Sequence, residues 1–112
     1  MKCPQYVIDT VKEYCKILNK PVPLIFISAT KSKLGSCWGD GSKMQFSSIA
    51  LQCGSIEQMK YLIAHECSHL IHQNHSKSFW KCVEMLCPNY KKLHKEFQRV
   101  FKLSVVLKRN KR

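Results

Sequence analysis

Apolar residues recur at helical spacing in four stretches of this chain and cluster in two short β-rich runs. Pro4 can open a first helix, whose stripe is Val7, Val11, Tyr14, Cys15 and Leu18. Asn19-Lys20-Pro21 ends it. Val22 to Thr30 is dense in β-formers and predicts a strand, and Met44 to Leu51 predicts a second. The segment between them, Lys31 to Lys43, holds Gly35, Gly39, Asp40 and Gly41 and reads as a long turn region joining an antiparallel pair. Ser55 with Gln58 forms a capping box that starts a helix carrying Met59, Leu62, Ile63, Leu70 and Ile71 on its buried face. His72-Gln73-Asn74-His75 should break that helix, with Asn74 taking a left-handed turn. Ser76 or Ser78 caps a third helix through Phe79, Trp80, Val83 and Leu86. Pro88 stops it, and Tyr90, Leu93, Phe97, Val100 and Phe101 stripe a fourth. Helix, two strands, then three helices predict an α+β domain.

With 112 residues, a single domain spanning 1–112 is expected, and no repeat or low-complexity stretch divides it. No run approaches the eighteen or so apolar residues of a membrane span. The opening Met1-Lys2-Cys3-Pro4-Gln5 lacks a signal peptide's apolar region, so a cytoplasmic location is expected. Seven cysteines without a Cys-x-x-Cys pair read as reduced thiols rather than a disulfide scaffold. Those at 15, 67 and 82 fall in apolar helical patterns, where a thiol packs as a small hydrophobe. The net charge of +12 is concentrated late: residues 91–112 hold nine Lys or Arg against Glu96 alone, ending in a basic tail at about 103–112. That region makes nucleic acid a candidate partner. A solvated helix face fits the letters equally well, since no stacking-aromatic motif accompanies the charge.

The chemistry is carried by His65-Glu66-Cys67-Ser68-His69. Two histidines four apart on a helix share one face and can share a metal ion, with the intervening glutamate beside it. A catalytic zinc takes three protein ligands and keeps one position for water. His72 lies about 10.5 Å along the helix axis from His65, too far to complete one tetrahedral site. His75 reaches only if the helix stops and the chain turns back, and Glu84 from the next helix is the alternative. The expected set is His65, His69 and His75 on Zn2+, with Glu66 as general base. A closed structural zinc site would prefer four Cys/His ligands and has no use for the glutamate. His72, Tyr90 and His94 are weak candidates for stabilising an oxyanion, and each reads more readily as packing or surface. A free edge on the Met44–Leu51 strand would pair with an extended peptide, and an ordinary covered core strand fits the letters equally well.

The string from His65 to Trp80, followed by Glu84-Met85-Leu86-Cys87-Pro88-Asn89-Tyr90, closely resembles the YgjP-like metallopeptidase family, which is related to the SprT-like and WLM zinc proteases. Gly35-Ser36-Cys37 and the strand after it are similar to the same family's catalytic domain, and the similarity spans about residues 4–98. The resemblance implies a minimal zincin-like fold with His65, His69 and His75 on zinc and Glu66 catalytic. It departs where Lys33-Leu34 replaces the family's usual Arg-Trp, and where an additional N-terminal β-rich region common in members has no counterpart. This chain thus looks like the catalytic domain alone.

The leading expectation is a zinc-dependent peptidase acting on protein or peptide. A non-catalytic nucleic-acid-binding module with a structural zinc, a DNA-associated protease of SprT or WLM type, and a hydrolase of non-peptide amides are the competing classes.

Overall fold

The first helix, α1 (Gln5–Leu18), begins after Pro4, whose extended backbone serves as N-cap, and ends at Asn19 in the left-handed region at φ 57°. It packs Val7, Val11, Tyr14 and Cys15 into the core. The computed structural model describes residues 2–110, with side chains through Leu107; the end of the basic tail, Lys111 and Arg112, lies outside the described residues. Three strands follow: β1 (Leu24–Ser28), β2 (Gly35–Cys37) and β3 (Lys43–Ser47), in the spatial order β1-β3-β2.

This mixed sheet corrects the expected antiparallel pair. β1 runs parallel to β3, in register from Leu24↔Lys43 to Ser28↔Ser47, while β2 is antiparallel to β3. The tight turn explains the difference. Asp40 accepts hydrogen bonds from the Ser42 amide at 2.9 Å and hydroxyl at 2.6 Å, and Gly41 takes φ 76°. That Asx turn joins β2 to β3 as the hairpin, so β1 must take β3's other edge. The segment read as a bare loop therefore contains a strand. β3 is also shorter than the expected Met44–Leu51. Ser47 Oγ accepts from the Ile49 and Ala50 amides at 3.2 and 3.4 Å and starts a short helix, α2 (Ser48–Cys53).

The capping box at Ser55 forms as expected and opens α3 (Ile56–Ser68). Its burial is heavier than the predicted stripe: Met59, Tyr61, Leu62, Ile63, Ala64, Glu66, Cys67 and Ser68 are all buried. Leu70 is half-buried and Ile71 is 42% exposed, because the helix has already ended. The break is made by successive tight turns, Leu70 N–H to Cys67 C=O at 3.0 Å and Ile71 N–H to Ser68 C=O at 3.2 Å. Asn74 plays no left-handed part; among the described residues only Asn19 and Gly41 have positive φ.

Helix α4 (Lys77–Leu86) is capped by Ser76, and α5 (Tyr90–Asn110) lays Phe97, Phe101 and Val105 against the core. The core is therefore centred on α3, enclosed by α1, the sheet, α4 and α5. All seven cysteines are free thiols; Cys15 and Cys67 are buried, whereas Cys82 is only half-buried.

Candidate metal centre and active site

His65 sits in the last turn of α3, His69 is that helix's C-cap, and His75 stands in the short loop before α4. The early helix end turns the chain back, and the ligand-capable atoms of the three all lie within 4.8 Å of one another. Phe79, fully buried in the first turn of α4, forms the floor. Its ring centroid lies 5.0 Å from His65, 4.5 Å from His69 and 4.9 Å from His75. Ser76 sets that placement, because its hydroxyl accepts from the Phe79 amide at 3.3 Å.

The donor set suits a divalent transition metal. His69 Nδ1–H donates to the His72 carbonyl at 3.0 Å, leaving Nε2 free for the centre. His65 Nδ1 lies 3.4 Å from the Tyr61 hydroxyl, which leaves its Nε2 free likewise. Burial, reinforced by His69 and His75, pushes the His65 pKa down to about 3. Burial also lowers His69, against the opposing hydrogen bond to the His72 carbonyl. Neutral imidazoles are the ligating form. A tetrahedral zinc with Zn–N near 2.0–2.1 Å needs nitrogens about 3.4 Å apart, a small contraction for side chains at a helix end. Glu84 is exposed on α4 and stays outside the group, as does His72, which contributes its carbonyl instead.

A cleft of about 340 Å³ opens over the three histidines. β2 forms one wall, and Gln73 crosses it to donate to the Gly39 carbonyl at 3.2 Å. Glu66 faces this cleft yet is only 4% exposed. Burial raises its pKa to about 8, against the opposing charge of Lys33. Gly35 is required opposite it: a Cβ there would stand 2.7 Å from the Gln45 carbonyl oxygen and 3.6 Å from Glu66 Oε2. Ser36 Oγ is buried and has no hydrogen-bond partner within the described residues. Where the sequence has Lys33-Leu34, Leu34 enters the core and its carbonyl accepts from the Ser47 amide at 2.8 Å.

Sequence reasoning missed the β2 wall, because three residues are too few to show alternation. Of the two possibilities the letters left for β3, a free edge or a covered strand, the covered one holds, since β3 is paired on both sides; the edge beside the cleft belongs to β2. Of the weak oxyanion candidates, Tyr90 stacks on Trp80 (5.4 Å, 19°), and His94 Nδ1 lies 2.5 Å from the Tyr61 hydroxyl. Neither lines the cleft over the three histidines.

A small mixed sheet over a helix that ends in a histidine-lined cleft defines a metallopeptidase architecture. The chain belongs to the YgjP-like family, whose metallopeptidase domain matches it over residues 2–100, and it is accordingly a hydrolase with a metal cofactor. Two solved structures share the fold. The metallopeptidase zymogen abylysin of Pyrococcus abyssi superposes with a TM-score of 0.74 at 23% identity, covering 83% of this chain and 92% of its own. The metallopeptidase zymogen jannalysin of Methanocaldococcus jannaschii gives a TM-score of 0.65 at 23% identity, over 96% of this chain and 98% of its own. Among curated proteins, none matches. No described helix is long and apolar enough to cross a membrane.

Proposed function

We propose that this chain is a single-domain, cytoplasmic zinc peptidase in which His65, His69 and His75 hold the metal and Glu66 is the general base. The observation that carries this reading is the meeting of three imidazoles within 4.8 Å in a cleft that also holds a buried glutamate. Zinc bound there supplies a Lewis acid that polarises the scissile carbonyl and makes the attacking water acidic near neutral pH. Glu66, ionised once a bound cation offsets the burial that raises its pKa, would take the proton from that water and pass it to the leaving amine. The edge of β2 offers unpaired backbone groups along the cleft, where an extended peptide is held by strand addition.

The test is zinc content and proteolysis together. The purified chain should hold one zinc, each of His65→Ala, His69→Ala and His75→Ala should lose it, and chelation should stop cleavage of an unstructured protein until zinc is returned. A His75→Ala variant with full zinc, or chelator-insensitive cleavage, overturns the reading.

A second reading, of nucleic acid as partner, is favoured by the surroundings of Trp80. Two aromatic rings, Trp80 and Tyr90, stand beside the basic residues. Trp80 and Tyr90 line a cleft of about 720 Å³ with Lys91, Lys92 and Lys95. Single-stranded binding there should weaken with salt at a log–log slope of about −0.7 per phosphate contacted. Binding unchanged in Lys91→Ala/Lys92→Ala/Lys95→Ala removes this partner.

A further inference from the structure

We propose that Tyr61 and His94 are positioning residues that hold the tautomer and orientation of His65 for the metal, an inference that rests on zinc binding through His65 Nε2. Tyr61 lies one helical turn before His65 on α3, so the two side chains share a face. Its ring is 1% exposed, and its hydroxyl stands between two imidazoles, 3.4 Å from His65 Nδ1 and 2.5 Å from His94 Nδ1. His94 arrives from the first turns of α5, more than thirty residues away in sequence, and sets its ring edge-on to Tyr61 (5.6 Å, 81°).

A hydroxyl carries one proton, so it donates to one neighbour and accepts from the other. Metal at His65 Nε2 leaves Nδ1 protonated, and Nδ1–H then donates to the Tyr61 oxygen. The Tyr61 proton is thereby directed to His94 Nδ1, the acceptor of a neutral ring that carries its own proton on Nε2. The chain His65→Tyr61→His94 thus has a single consistent direction. His69 is oriented differently, by the backbone carbonyl of His72, which no side-chain substitution removes. The orientation of His65, held by side chains, is therefore one that mutation can address. Groups that orient a metal-bound histidine typically govern affinity by 10–100-fold.

The experiment is a zinc titration against a competing chelator, with the histidine NMR signals followed in the zinc-loaded protein. Tyr61→Phe keeps the ring and should weaken zinc binding about 10–100-fold, while the His65 Nδ1–H signal broadens through exchange with solvent. His94→Leu should weaken binding in the same direction, and His94→Gln, which retains an acceptor, should recover most of it. The double variant Tyr61→Phe/His94→Leu should be no weaker than Tyr61→Phe, because both break one chain. Lower thermal stability of the metal-free variants at unchanged zinc affinity would mean that the pair only packs the core, and would overturn the proposal. Should Tyr61→Phe fail to fold, the half-buried His94→Leu and His94→Gln pair decides by the same titration. A wild-type chain without zinc affinity would remove the metal-site reading and the relay together, whereas tight wild-type binding matched by Tyr61→Phe removes the relay alone.

Discussion

Replacing Phe79 by alanine removes the floor on which the three histidines rest. The side chain is fully buried, and its ring touches His65, His69 and His75 at centroid distances of 4.5 to 5.0 Å. Truncating a buried phenylalanine typically costs about 3–5 kcal/mol through lost transfer energy and the cavity left behind. Each aromatic contact adds about 0.5–1.5 kcal/mol that is already counted within that figure. Against a total stability of about 5–15 kcal/mol, the metal-free variant should be close to marginal. With a urea m-value of about 1.5 kcal/mol/M, its unfolding midpoint should fall by about 2–3 M relative to metal-free wild type. Zinc at a thousand times its dissociation constant returns about 4 kcal/mol, so the loaded variant should regain much of the loss. Met85→Ala on the same helix, 60% exposed, should stay within about 0.5 kcal/mol of wild type. A Phe79→Ala midpoint within about 0.7 M of wild type would show that this ring does not support the centre.

Glu84→Ala should leave zinc stoichiometry unchanged, since that carboxylate lies outside the histidine group; loss of zinc, measured by elemental analysis, would refute the ligand set. Gly54→Ala should destabilise by about 1–3 kcal/mol in urea unfolding, because a Cβ there would come 2.6 Å from the Phe97 ring and 2.9 Å from the Ala50 carbonyl. Metal-free stability should depend on pH in two limbs. His65 drops from the ordinary 6.5 to about 3, and His69 and His94 are lowered too, so the unfolded chain binds more protons and stability falls as pH drops from about 6.5. Glu66 rises from the ordinary 4.5 to about 8, so its contribution is present at low pH and lost as pH rises toward 8. The three imidazoles outweigh one carboxyl below 6.5, placing the maximum near there. The decline from 6.5 to 8 should vanish in Glu66→Gln, and urea midpoints across pH would expose its persistence.

Local signals in the chain were read well wherever the physics is local. Pro4, Asn19, Ser55 with Gln58, Ser76 and Pro88 mark helix ends through their own backbone and hydroxyl chemistry, and the structure uses each of them. The approach of His75 to His65 and His69 was legible because axial rise excludes His72 and a polar stretch permits a turn. The sheet was not legible, since strand pairing depends on which turn closes first. The Asx turn at Asp40 commits β3 to β2, and β1 is left to pair in parallel. Ser47 was passed over as a cap because the apolar letters after it suit strand or helix alike. Tyr61 and His94 were invisible as a pair, since nothing along the chain relates residues brought together only by α5 folding onto α3.

In the proposed mechanism Glu66 moves the proton without holding the metal. Cleavage of an unstructured protein by Glu66→Gln, with zinc content measured on the same sample, tests this most directly. The prediction is one zinc per chain, as in wild type, and a rate at least about 100-fold lower, the lower end of what general acid–base help supplies. Cleavage at the wild-type rate, or loss of zinc with the substitution, would contradict it.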